Sequence, residues 1–298
     1  MTANKNTKKI SELSDLLKIL GNGDLDQGKS PKYYFRGESV NNRPLIPKLI
    51  RNSTLLGVHG MPGLIRKDTL TISEIQTRLL QRLKRYAVHL YLQNNRPWQG
   101  EQPSDWEWLS VAQHHGLPTL LSDWSINPLV ALYFSAWKYH GEKDGVFYVM
   151  ELQEKHIRDK KNLTVRVGQS GRRDSDNKEI LLSDAKNALI IVPLVFTRRI
   201  EAQSARFIYD GYSAADYIKI NKEKIEECEA AESEFYADKA LDNLPRKTDH
   251  PWTNITAYTV PQGDKKKLLR QLRNAQIHHG TLFPDLDGYA NYLRMGGD

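Results

Sequence analysis

The sequence predicts an α+β protein, a single mixed domain whose sheet is largely antiparallel and flanked by helices, with a helical arm in front of it. Three observations lead there. Residues 119–124 form a short apolar run that reads as a buried strand, and residues 129–137 continue as a helix apolar almost all round, so strand and helix meet at a polar corner. Residues 145–152 and 189–195 read as further strands, rich in β-branched and aromatic side chains. No internal repeat or low-complexity linker divides the 298 residues, so we expect an arm over 1–30 and one domain over 31–298.

Taken in order, Ile10, Leu13, Leu16, Leu17 and Leu20 make the apolar stripe of an opening helix behind a candidate cap at Ser11, and Gly21-Asn22-Gly23 stops it. Residues 33–37 read as an aromatic strand ending in Arg36 and Gly37. An arginine there can reach into a cleft while the glycine lets a phosphate approach the backbone; equally, it can pair with a core carboxylate to fix topology. Residues 41–63 are rich in Pro, Asn and Gly and read as a wrapped loop or lid. Residues 69–92 follow as a long helix whose Arg78, Arg82, Lys84 and Arg85 face reads as solvated, and 106–114 as a short helix.

Gly116 and Pro118 then turn the chain into the central strand, and Ser125 or Asn127 caps the buried helix with Pro128 in its first turn. Asp123, Ser125 and Asn127 are thereby held at a corner between rigid elements, where ligand-binding groups tend to be placed. Pro193 argues for an edge or a bulge in the strand around it, and the latter half of 198–209 reads as one more strand. The glutamate-rich stretch 222–238 reads as a solvated helix within a charged insertion near 220–245. A strand over 254–260, a helix over 264–277 and a turn with a short helix over 281–293 complete the chain.

Composition narrows the function. Hydrophobic residues at 39% and charged residues at 27% describe a globular protein, and no apolar stretch approaches the roughly 20 residues of a membrane span. The basic N-terminus lacks the apolar run of a signal peptide, and the single cysteine, Cys228, suits a reducing cytoplasm, the expected location. A net charge of +7 favours polyanionic partners, nucleic acid or a phosphate-bearing ligand. Phosphate-loop, dinucleotide-fingerprint, paired CxxC and HExxH signatures are missing. Neither adjacent histidine pair, His114-His115 or His278-His279, has the spacing to bind one ion, so no metal is expected, and Cys228 among glutamates is a poor nucleophile.

Read together, Tyr34-Phe35-Arg36-Gly37, the run 113–119 with Asp123-Trp124-Ser125 and 127–134, Arg199-Ile200-Glu201-Ala202-Gln203 and the run 282–288 resemble the FRG domain, named for its aromatic-Arg-Gly motif. Ser122 departs from the resemblance, standing where an apolar residue is expected. The family's organisation is similar to that of ADP-ribosyltransferases: an early strand bearing an arginine or histidine, a strand entering a hydroxyl-bearing corner before a buried helix, and a late acidic segment. The resemblance therefore implies an ADP-ribosyltransferase-like fold with NAD as substrate. In it Arg36 and Gly37 would meet NAD phosphate or ribose, and Ser125 would fill the hydroxyl position. Gln113, His115, Asp123, Tyr133 and Asp285 would complete the contacts, with Phe134 beside Tyr133. Glu201 and Gln203 lie on the late segment; because a glutamine cannot stabilise an oxocarbenium-like transition state as a carboxylate does, the acid is Glu201, Asp123 or Asp285. The implied activity is transfer of ADP-ribose to a nucleic-acid or protein acceptor, or hydrolysis of NAD, in a toxin or antiviral effector. The alternative is a non-catalytic module that binds a nucleotide or nucleic acid.

Overall fold

The computed structural model describes residues 8–21, 33–40, 47–49, 72–94, 104–137, 143–151, 164–166, 189–193, 195–209, 255–294 and 296. The expected lid apart from residues 47–49, the charged insertion near 220–245 and Cys228 lie outside them. The described chain runs α1 (Leu13–Gly21), β1 (Tyr33–Glu38), α2 (Ile72–Asn94), α3 (Asp105–His114), β2 (Leu121–Ser125), α4 (Pro128–Ala136), β3 (Gly145–Glu151), β4 (Thr164–Arg166), β5 (Leu189–Val192), α5 (Arg198–Ala202), β6 (Ala205–Tyr209), β7 (Ile255–Val260), α6 (Lys265–Asn274), α7 (His279–Leu282) and α8 (Leu286–Arg294). Helices and an open, largely antiparallel sheet make it an α+β fold. Across the seven-stranded sheet the order is β4-β5-β6-β2-β1-β3-β7, and only β4 and β5 run parallel. Pro193 follows the last residue of β5, which lies inside the sheet; the proline ends that strand and marks no edge.

The alternation of β1 sends its side chains to opposite faces. Tyr33 and Phe35 join Val130, Leu132, Phe147, Leu268 and Leu272 in the larger core, beneath α4 and α6. Tyr34, on the other face, packs with Trp124, Met150, Ile190 and Ile208. Helix α4 needs no polar face because it is nearly enclosed, and it lies against β1 and β3 at backbone contact. A Cβ on Gly37 would stand 1.8 Å from the Ala131 carbonyl oxygen, and one on Gly145 2.0 Å from that of Ser135. The glycine of the aromatic-Arg-Gly motif thus admits the helix backbone at contact distance.

The segment expected as an arm is built into the same core. Lys9 bridges Thr259 of β7, the Ile10 amide donates to the Thr259 carbonyl at 2.9 Å, and Ile10 and Leu16 are wholly buried. Asp15 reaches back from the first turn of α1 to accept from the Ser11 and Glu12 amides, so Asp15 does the capping expected of Ser11. Lys265, also wholly buried, donates to the Ser39 and Lys143 carbonyls at 2.7 and 2.9 Å and ties α6 to the chain after β1 and before β3. Burial pushes its amine below the ordinary lysine value. Ser122 is explained in the same way: its buried hydroxyl donates to the Ile208 carbonyl and accepts from the Trp124 indole N–H at 3.1 Å, a partner an apolar residue would not supply.

Candidate functional site

Strands β1 and β2 are neighbours yet share one register pair, Phe35 with Ser125, whereas β1 and β3 share six, from Tyr33↔Glu151 to Glu38↔Val146. Past that single rung they part. Arg36 spans the gap. Its Nη1 donates to the Asp123 carbonyl at 2.8 Å, while Nε, at 3.0 Å, and Nη2 donate to the Glu38 carboxylate. Arg36 and Glu38 are two apart on a strand and so share a face. Burial alone would lower the arginine's pKa; Glu38 and Asp123 outweigh it and hold the guanidinium above its ordinary value. Arg36 is therefore the strut of a fork in the sheet, paired with a carboxylate.

The fork opens into a cleft of about 620 Å³, within the size range of small-molecule sites. It is lined by Gln113 to Leu117 from the end of α3, by Asp123, Trp124 and Ser125 with Val130, Ala131 and Phe134, and by Arg199, Ile200 and Gln203 of α5 and its following turn. Lys48 stands at the rim, its Nζ donating to the Gly116 carbonyl at 2.8 Å.

Within the cleft, Asp123 is exposed and held in place. The Leu121 amide donates to Thr119 Oγ1 at 3.0 Å, the Thr119 hydroxyl donates to Gln113 Oε1 at 2.5 Å, and Gln113 Nε2 donates to Asp123 Oδ2 at 3.0 Å. Each link fixes the donor sense of the next, so the carboxylate has one oxygen clamped, and the other accepts no hydrogen bond among the described residues. Ser125 is buried and committed: its hydroxyl donates to the Gln203 carbonyl at 2.8 Å and accepts the Asn127 amide at 2.9 Å. Asn127, not Ser125, caps α4, its Oδ1 accepting the Leu129 amide at 3.0 Å with Pro128 following. Gln203 donates from its side chain to the Leu282 carbonyl at 3.1 Å and so docks α7 against the corner.

The cleft gathers Arg36, Gly37, Gln113, His115, Asp123, Ser125 and Gln203. Glu201 is exposed and outside the lining, and Tyr133 is buried behind it, its hydroxyl 3.3 Å from His279 Nδ1. Phe134, the next residue, is the one that meets the cleft. Asp285 accepts the Gly288 amide at 2.6 Å as part of the α8 start, also outside the lining. Among the described residues no three His, Cys, Asp or Glu side chains gather to hold a metal ion, and no helix is long and apolar enough to cross a membrane. Glu38 and Lys48 were not singled out in the sequence, and Arg199 stood only within the run Arg199–Gln203 that carries the resemblance, with no role of its own. For Glu38 the available signal was its spacing of two from Arg36; for Arg199 it was the spacing of four from Gln203, which puts both on one side of a helical turn.

Two histidines share this neighbourhood. His114 Nε2 lies 3.2 Å from Thr197 Oγ1, and His279 stacks on Phe283 at 4.4 Å. Burial, then the charge of Arg199, pushes each imidazole down to about 4; His115 and His278 respectively add to the fall and Asp285 opposes it. Both rings thus stay neutral in the fold while the unfolded chain protonates near 6.5, so their stabilisation is complete above that value and is lost as pH falls toward about 4. The melting temperature is expected to drop between about pH 7.5 and pH 5. His279→Phe, whatever its stability at neutral pH, should show a shallower drop; an unchanged slope would assign the loss elsewhere.

Residues 31–144 match the family model described as the FRG domain, a span that runs from β1 through α4 and carries Arg36, Gln113, Asp123 and Asn127. The chain carries an FRG domain. The matched segment supplies the fork, its arginine strut and the clamped carboxylate, while α5, outside the match, adds Arg199 and Ile200 to the lining and α7 backs the corner through the Gln203–Leu282 hydrogen bond. No curated protein and no solved structure matches the chain.

Proposed function

We propose that the cleft binds NAD and that the protein transfers ADP-ribose from it to a macromolecular acceptor, by the ADP-ribosyltransferase-like organisation that the FRG resemblance implies. The observation that carries this reading is Asp123, a carboxylate clamped on one side by Gln113 and open on the other, in a cleft that also holds a cation, Arg199. The neighbouring positions of β1 and β2 support it, since they bring the early arginine strand beside the strand that enters the corner.

In this reading the bond that breaks joins C1′ of the ribose to the nicotinamide ring nitrogen. Its electron pair leaves with nicotinamide, and positive charge develops across C1′ and the ring oxygen. Asp123 stabilises that charge, with its position set beforehand by Gln113 and Thr119. An acceptor nucleophile then bonds to C1′ and gives up its proton to solvent. Ser125 and Arg36 hold the corner and the fork in register. The net charge of +7 suits an acidic protein or nucleic acid as acceptor.

The test is release of nicotinamide from NAD by the full chain, alone and with RNA, DNA or protein acceptors. Release is expected, with radiolabel from the adenylate moiety passing to one acceptor class. Absence of release with every acceptor, together with a melting temperature unmoved by NAD, would overturn the reading. A melting temperature raised by NAD without release would favour the non-catalytic nucleotide-binding alternative.

A further inference from the structure

The two arginines that line the cleft are in opposite states. Arg36 has its donors committed to Glu38 and the Asp123 carbonyl. Arg199 is half-buried, its Nε is buried with no hydrogen-bond partner, and no described residue forms a hydrogen bond or ion pair with its guanidinium. What holds it is the Phe283 ring, 4.5 Å from Cζ. Asp123 and Asp285 act on it only through space, and burial outweighs both, lowering its pKa. A buried guanidinium N–H without an acceptor is costly in a finished fold unless a ligand completes it.

We propose that Arg199 is the phosphate anchor of the cleft, its fork binding the phosphoryl oxygens of a pyrophosphate-bearing ligand. The anchor rests on the nucleotide reading above for its natural ligand but not for its chemistry. Planar, bidentate donation suits phosphate oxygens, the Phe283 face pre-orients the plane, and His114 and His279 stay neutral beside it. In Arg36 each of the three nitrogens already donates, to Glu38 or to the Asp123 carbonyl.

The experiment titrates inorganic pyrophosphate into the full chain at fixed ionic strength and compares wild type with Arg199→Met, which keeps the apolar contact on Phe283, and Arg199→Lys, which keeps the charge and loses the fork. The exposed Lys266→Gln serves as control for general basicity. Affinity is expected to fall about thirtyfold in R199M and about tenfold in R199K, and to be unchanged in K266Q. Should R199M fail to fold, R199K carries the comparison. Equal affinity in wild type and the Arg199 variants, or no binding by wild type, would overturn the anchor. The titration reads no nicotinamide, so it can succeed where NAD cleavage fails; NAD cleavage with its KM unmoved in R199M would sink the anchor and leave the transferase reading standing.

Discussion

Gly37→Ala is expected to cost about 3 kcal/mol or more of folding free energy, enough to threaten a domain of ordinary stability. The backbone of Gly37 shows no positive φ, so the cost does not come from local strain. It comes from α4, whose Ala131 carbonyl oxygen would lie 1.8 Å and whose Ser135 amide nitrogen 2.6 Å from the new methyl carbon. Both are backbone atoms and cannot swing away; α4 has to lift. Lifting it separates Val130, Ala131 and Leu132 from Phe35 and Phe147, opening the larger core. Gly263→Ala is the control, since a methyl there meets nothing within 4 Å, and its effect should stay within about 0.5 kcal/mol. Denaturant titration of the three proteins decides; a Gly37→Ala variant as stable as the control would mean that helix and strand are not in the contact described.

That glycine shows where the sequence is legible and where it stops. The corner is local chemistry: Asn127 followed by Pro128 can only start a helix well, and the short apolar run before it can only be buried, so strand, corner and helix could be read directly. Gly37 next to Arg36 also stood out, but a ligand phosphate and a helix backbone make the same demand for a missing side chain, and only the packing of α4 reveals the helix. Arg36 left two readings open for a similar reason, and Glu38 resolves them toward the paired one. In α4 the apolar residues run all round the helix, so no periodicity tells whether Tyr133 or Phe134 meets the cleft. Arg199 needed the most assembly, because its isolation depends on α3, α5 and α7 converging from distant parts of the chain.

If the protein cleaves NAD as proposed, the same reasoning about partners points to Asp123 as the carboxylate that acts. Asp123→Asn is expected to lower kcat for nicotinamide release about a hundredfold or more while leaving KM for NAD nearly unchanged. Asparagine retains the size of the side chain and can still offer its carbonyl oxygen to Gln113 Nε2, so the clamp and the strand persist. In the proposed reaction it removes the negative charge set against C1′, and because positive charge would develop there only as the glycosidic bond breaks, the loss is expected on the transition state and not on binding. Glu201→Gln should change kcat by no more than about twofold, since Glu201 is exposed and outside the cleft lining. Thr119 acts through another residue. In Thr119→Val, Gln113 loses the hydroxyl that fixes its amide sense, and kcat is expected to fall about tenfold, with Thr119→Ser restoring it. A purely structural role for Thr119 would instead lower stability in proportion and leave kcat per folded molecule unchanged. If Asp123→Asn keeps wild-type kcat and Glu201→Gln abolishes it, the acid lies on α5 and the clamp on Asp123 serves only to hold the mouth of the fork.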